Sequence, residues 1–242
     1  MTISIIPLNG FPEVTAGADL SELVAQSHKV EDGDVVVLAQ KVVSKAESRV
    51  VKLADLEPSD RARELAGADD DPRYVEAILR EAVRVVRARG PFVIAETRHG
   101  FICAAAGVDA SNAPEAGTLV LLPLDPDASA GRIRDGIRER TGRTVAVIVS
   151  DSFGRPWRQG TTDVAIGVAG MAPLLDLRGT RDASGYELRS TQIAVADELA
   201  GAVELVMGKA SGVPGAVVRG FAVTGEGSAQ ELVLPAERDL FR

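Results

Sequence analysis

The chain holds 242 residues, 45% of them hydrophobic but only 4% aromatic, enough for one large domain or two intertwined lobes packed with Val, Leu, Ile and Ala. A net charge of −8 and a pI near 4.9 exclude the basic surface that bulk nucleic-acid binding needs. A single cysteine, Cys103, excludes an intrachain disulfide and a cysteine zinc site, and no basic leader or ~20-residue apolar run marks export or a membrane span, so a cytoplasmic protein is expected.

Apolar runs alternate with helical patterns, which predicts a mixed α/β (α+β) fold. Ile3–Leu8 reads as a first strand, followed by a turn-rich loop through Asn9, Gly10, Phe11, Pro12, Glu13 and Val14. Asp19–His28 reads as a helix with an acidic cap. Asp34–Ser44 reads as one long strand, in which Lys41 and Lys45 share a face. Those lysines fit either an edge strand guarded by charge or a phosphate contact. Glu57–Asp71 is acidic, has few large apolar residues, and reads as a surface excursion.

Pro72–Arg89 carries Val75, Ile78, Leu79, Ala82, Val83 and Val86 at helical spacing and is predicted as one helix. Strands are expected at Pro91–Glu96, Phe101–Val108 and Thr118–Leu122, with a hairpin turn at His99. The polar segment Asp109–Gly117 is expected to join two halves of a single domain over residues 1–242. Asp127–Arg140 reads as a helix stopped by Gly142. Val145–Ser150 and Ala216–Val223 read as strands, and Leu188–Met207 as a long helix.

Three stretches carry chemistry. Val145–Ser150 delivers Asp151 and Ser152 at a strand's C-terminal end, where α/β sheets place ligands. A carboxylate beside a hydroxyl suits a hard cation such as Mg²⁺ or Mn²⁺, and Arg155 and Arg158 can fork onto phosphate or carboxylate. The alternative is a capped turn with solvated arginines. Asp109 and Asn112 likewise follow an apolar run, as ligand groups or as an Asx turn. Gln40, Lys41 and Lys45 form the third stretch. Neither His28 nor His99 has metal-ligand spacing, and the P-loop, the dinucleotide fingerprint and the serine-hydrolase elbow are all missing.

In this order these stretches resemble the coenzyme F420-0:L-glutamate ligase family. The resemblance rests on Gly33–Val37, Lys41–Glu47, Ala104–Asn112, Leu122–Asp127, Ser150–Arg158 and Val218–Phe221. It implies a GTP-dependent ligase that adds L-glutamate to F420-0 or its dehydro precursor, then further γ-linked glutamates, releasing GDP and phosphate. It also implies a two-lobed fold, an intertwined homodimer, a need for Mg²⁺ or Mn²⁺, and a possible role for K⁺. Asp109, Asp151 and Ser152 match the family's metal positions. Phe11, Pro12, Glu13, Val14, Gln40, Lys45 and Asn112 match nucleotide contacts, although Gln40 stands where some relatives have Ser. Lys45, Arg155 and Arg158 are expected to act on the transferring phosphoryl group or the substrate's phosphate. The family includes stand-alone enzymes and members with a C-terminal reductase-like domain, which would begin near Asp239–Arg242. A metal-dependent phosphohydrolase and a non-catalytic nucleotide-binding module are the competing readings.

Overall fold

Val35-Val-Val-Leu-Ala39 explains the centre of the molecule. These residues form strand β2 (Val35–Ala39), and the first four are fully buried. Side chains alternate across a strand. Val36 and Leu38 enter one hydrophobic cluster, Val35 and Val37 another on the opposite face. Such a two-sided strand needs cover on both faces, and helices supply it.

The structure is a computed structural model that describes residues 2–240; Met1, Phe241 and Arg242 lie outside the described residues. In chain order, β1 (Ser4–Pro7), α1 (Leu20–Ser27) and β2 lead into α2 (Gln40–Ala46) and β3 (Val50–Lys52). Next come α3 (Asp60–Ala66), α4 (Pro72–Glu81), β4 (Ala82–Arg89), β5 (Phe92–Thr97), β6 (Ile102–Ala104) and β7 (Thr118–Val120). The chain continues through α5 (Pro126–Thr141), β8 (Ala146–Arg155) and β9 (Arg158–Ala169). It ends with β10 (Leu175–Asp176), β11 (Gln192–Ile193), α6 (Val195–Met207) and β12 (Gly215–Arg219).

The main sheet has the order β1-β12-β2-β8-β9. Only β2 and β8 run parallel, with Ala39 opposite Ser150. Helices α1 and α5 cover one face through Leu20, Val24, Ala130, Ile133 and Ile137. Helix α6 covers the other through Val195, Leu199, Val203 and Met207. A third apolar cluster lies away from this sheet, built from Leu65, Val75, Ile78, Val93, Ala95, Leu119 and Leu121. It is framed by α3, α4, the β4-β5-β6 sheet and the β3-β7 pair.

Strand β9 is an edge, yet its outward N–H groups are not left to water. Glu204 accepts from the Asp163 amide at 3.0 Å, Asp197 from Ala165 at 2.9 Å, and Asp127 from Val168 at 2.7 Å. A register irregularity facing Val149 and Ser150 shifts the phase of the outward amides between Ala165 and Val168.

Several expectations need correction. The strand expected over Asp34–Ser44 stops at Ala39: β12 begins at Gly215, opposite Leu38, and beyond Ser150 β8 pairs with β9 alone; α2 follows. The helix expected over Pro72–Arg89 ends at Glu81. Beyond it Val83, Val85 and Val86 are β-branched, and pairing with β5 outweighs continuation of the stripe. The strand expected over Phe101–Val108 gives way at Ala105 to a tight turn. The expected excursion Glu57–Asp71 contains α3, capped by Ser59 and packed through Ala62, Leu65 and Ala66. The last helix begins at Val195, seven residues after the expected Leu188, and β9 was not foreseen. The Gly142 stop holds: its φ of 71° gives the left-handed cap glycine adopts freely.

Gly167 marks where β9 meets the start of α5. A Cβ there would lie 2.3 Å from the Pro126 carbonyl oxygen. Gly167→Ala is expected to lose about 1–3 kcal/mol of stability, as read from a denaturant melt.

Candidate active site

Parallel pairing sets the C-terminal end of β2 beside Ser150, and β8, expected to end at Ser150, runs on through Asp151 and Ser152 to Arg155 because β9 keeps pairing with it. From β2 the chain turns into α2, where Lys41 and Lys45 stand four apart on one helix face. Strand β8 itself carries Asp151 and Ser152. A cavity of about 520 Å³ opens beside them. Ten of the twelve site residues expected from sequence line it: Phe11, Pro12, Glu13, Val14, Gln40, Lys45, Asp109, Asn112, Asp151 and Ser152.

The N-terminal loop is anchored by Val14, which is 4% exposed and belongs to the sheet's core, with Phe11 packed against the same cluster. Glu13 reaches out to Lys45, whose Nζ lies 2.6 Å from its carboxylate. Lys45 is buried and aimed into the cavity wall. Gln40 also braces the wall it lines: its side-chain N–H groups donate to Ser44 at 2.6 Å and to the Leu121 carbonyl at 2.9 Å. Here the glutamine braces α2 against the segment after β7.

Asp109 accepts from the Ser111 amide at 2.7 Å and pairs with Lys41 at 2.8 Å. The Asx turn and the site reading therefore coexist. Burial opposes its charge, but the Lys41 and Ser111 hydrogen bonds win and hold its carboxyl below the usual value. Asn112 adopts a left-handed φ of 54° and donates to the Lys209 carbonyl at 3.5 Å. That contact ties the loop after Asp109 to the loop between α6 and β12.

Asp151 has the opposite balance. Burial, with repulsion from Asp163 and Asp109, pushes its carboxyl up to about 7, against the pull of the Ser152 amide and Lys41. Among the described residues no three His, Cys, Asp or Glu side chains stand close enough to cage an ion unaided. The donor set still fits Mg²⁺ or Mn²⁺. Magnesium typically uses one or two carboxylates and completes its shell with water and substrate phosphates. A cation beside Asp109, Asp151 and Ser152 would relieve the repulsion that raises Asp151.

Asp163, Glu204 and Lys209 also line the cavity, though the sequence reading gave them no role. Asp163 is 4% exposed and accepts from the Ser150 hydroxyl at 3.0 Å and the Ser152 hydroxyl at 2.5 Å. Taking the Ser152 proton leaves that oxygen's lone pairs free to face a cation. The one available signal was the spacing: Asp163 follows Asp151 across a hairpin, through Gly154 and Gly160.

Arg155 and Arg158 do not join the cavity lining. They face one another at the tip of the β8–β9 hairpin, both exposed, with Arg155 donating to the Gln159 carbonyl at 2.8 Å. His28 and His99 also lie outside. His99 stacks on Phe101 in the turn after β5 and bonds the Pro123 and Leu124 carbonyls, and burial lowers its pKa.

A model of the F420-0:Gamma-glutamyl ligase family matches residues 10–220. The chain belongs to this family. Similar proteins include the coenzyme F420:L-glutamate ligase of Methanothermobacter thermautotrophicus, 44% identical over 252 residues and covering 100% of both chains. That of Methanopyrus kandleri is 46% identical over 248 residues, covering 100% of this chain and 98% of the relative. That of Methanocaldococcus jannaschii is 45% identical over 227 residues, covering 93% and 90%. The family match spans the strand ends, the N-terminal loop and both aspartates described above.

Because folding raises the Asp151 pKa, the native state holds a proton that the unfolded chain has released. Stability of the metal-free protein should therefore fall as pH rises from 3.8 to about 7. Asp151→Asn is expected to melt higher than the parent at pH 8 and equally at pH 3 without metal. Adding Mn²⁺ at pH 8 should raise the parent's melting temperature and leave the variant's unchanged.

Proposed function

We propose that the chain is a GTP-dependent ligase that joins L-glutamate to the carboxylate of F420-0, or of its dehydro precursor, and then adds γ-linked glutamates. The observation that carries this reading is the convergence of Lys45, Asn112, Asp109, Asp151 and Ser152 on one cavity beside β8 and the end of β2. The cavity falls within the ~300–1,000 Å³ range of small-molecule sites.

A carboxylate is a poor acyl donor, so the reaction needs an activated form. The acceptor carboxylate takes the γ-phosphoryl group of GTP to give an acyl phosphate and GDP. The glutamate amine then displaces phosphate from the acyl carbon. When bound, Mg²⁺ or Mn²⁺ would be held by Asp109, Asp151 and Ser152 and would neutralise phosphate charge. Lys45 supplies a fixed positive charge to the phosphates once Glu13 yields it. Asp163 holds the Ser152 hydroxyl in one orientation. The N-terminal loop and Asn112 close around the nucleotide from two sides. Arg155 and Arg158 meet the acceptor's phosphate from the hairpin tip. K⁺ is a further cofactor of this reading.

We read the assembly as a two-lobed homodimer, with the third apolar cluster marking the second lobe. Val83 is 70% exposed and Phe92 80% exposed on the β4–β5 sheet, which supports an interface there. No described helix is long and apolar enough to cross a membrane, and we place the enzyme in the cytoplasm.

Mass spectrometry of a reaction with F420-0, L-glutamate, GTP and Mn²⁺ is expected to show glutamyl adducts with matching GDP release. GTP cleavage without an amide product would instead mean a hydrolase. Lys45→Ala is expected to weaken GTP at least about tenfold with little change for glutamate; an unchanged apparent GTP affinity would remove Lys45 from the site. Sedimentation should give a dimer, and Val83→Lys with Phe92→Lys a monomer.

A further inference from the structure

The wall formed by Asp109, Asp151 and Ser152 has two sides. A second cavity of about 160 Å³ shares these three side chains with the larger one. Its remaining walls are small or apolar, among them Ala104, Ala105, Phe153 and Gly154. Cys103 also lines it, but burial drives this thiol up to about 12, which makes it an inert surface and no nucleophile. The volume is on the order of five waters. That is too small for a nucleotide and suits a carboxyl group with a few carbons.

One wall of the small cavity is a turn with a conformational cost. Ala105, Ala106 and Gly107 run consecutively through the left-handed region, with φ of 53°, 50° and 73°. Alanine disfavours that region because its Cβ crowds the following carbonyl. Packing pins the turn: Ala106 is buried, and a Cβ on Gly107 would meet the Leu122 side chain at 2.6 Å. Backbone outliers held by their surroundings gather at functional sites.

We propose that this cavity receives the carboxylate end of the acceptor, the group that takes the γ-phosphoryl; the inference rests on the ligase reading above. The nucleotide fills the large cavity and brings its phosphates to the shared carboxylate wall. The phosphoryl acceptor must come in line, opposite the departing GDP. A carboxylate oxygen in the small cavity bonds to the γ-phosphorus as the bond to the β–γ bridging oxygen breaks. That electron pair leaves with GDP, and no proton moves.

Among the described residues, none that lines the small cavity is cationic. Its charged lining groups are Asp109 and Asp151, so a carboxylate enters it only beside the cation those side chains would hold, and on a short, otherwise uncharged segment. A second anionic group of the acceptor stays at the rim. Arg155 follows Gly154 directly and Arg158 pairs with it across the hairpin, so two guanidiniums stand next to that rim. This gives the hairpin arginines a place in recognition although they lie outside the large cavity.

Gly154 provides the test. It lies in β8 two residues beyond Ser152, so a side chain there shares the Ser152 face. Gly154 is exposed where it lines the cavity and an added Cβ meets nothing within 4 Å, so the substitution adds bulk at the cavity's open side without a backbone clash. Gly154→Ala and Gly154→Val are expected to raise the acceptor KM in step with side-chain size, by at least about tenfold for valine. Affinity for GDP with Mn²⁺, measured by calorimetry, and the melting temperature should stay at the parent's values. Ala104→Val, at a strand position that also lines the cavity, should act the same way and decides the matter if Gly154→Val melts early. A parent that makes the glutamyl adduct while both valine variants keep its acceptor KM overturns the cavity assignment alone. Loss of GDP affinity in step with KM in both variants also overturns it, as a general distortion. A parent that makes no adduct overturns the ligase reading first.

Discussion

Everything functional in this chain depends on one parallel strand pair. Because β2 and β8 run the same way, with Ala39 beside Ser150, the chain leaves both strands at the same end of the sheet. An antiparallel pairing would send Lys41 and Lys45 to one end and Asp151 and Ser152 to the other. The pair is also the most deeply buried part of the sheet, with Val35–Leu38 and Val147–Val149 fully enclosed. The lysines and carboxylates of the cavity wall thus stand on or next to deeply buried strands, while other parts of its lining, residues 11–14 and 208–214, are loops.

Much of the site was legible because the sequence pattern survives an error in secondary structure. Lys41 and Lys45 were read on one face of a strand and stand instead on one face of a helix. A spacing of four places side chains on the same side in both geometries. Asp151 was legible for a different reason: an unbroken apolar run followed by an acid marks the end of a buried strand in either direction of pairing. Pro72–Arg89 failed because its stripe fits a helix to the end, and the pairing partner that overrules it, β5, is not visible from within the segment.

What stayed hidden depended on contacts between distant segments. Asp163 looks like one more polar residue in a hairpin until Ser150 and Ser152 are seen to donate to it. Glu204 and Lys209 reach the cavity because α6 crosses the sheet and ends there, and a helix end has no local signal for what it faces. Gln40 does both: it lines the cavity, and its side-chain N–H groups donate to Ser44 and to the Leu121 carbonyl. Arg155 at the end of β8 and Arg158 at the start of β9 sit too far along the hairpin to line the large cavity, because a strand advances ~3.3 Å per residue.

The edge strand has a consequence for how the protein behaves in a crowded solution. An exposed sheet edge is a template on which a stray strand can polymerise. On β9 the outward amides at Asp163, Ala165 and Val168 are already taken by Glu204, Asp197 and Asp127. An invading strand would have to displace three carboxylates and leave them without their partners. Part of the chain's acidic character thus guards against aggregation. The sheet edge beside the cavity carboxylates is guarded at three positions by charge already paired to backbone.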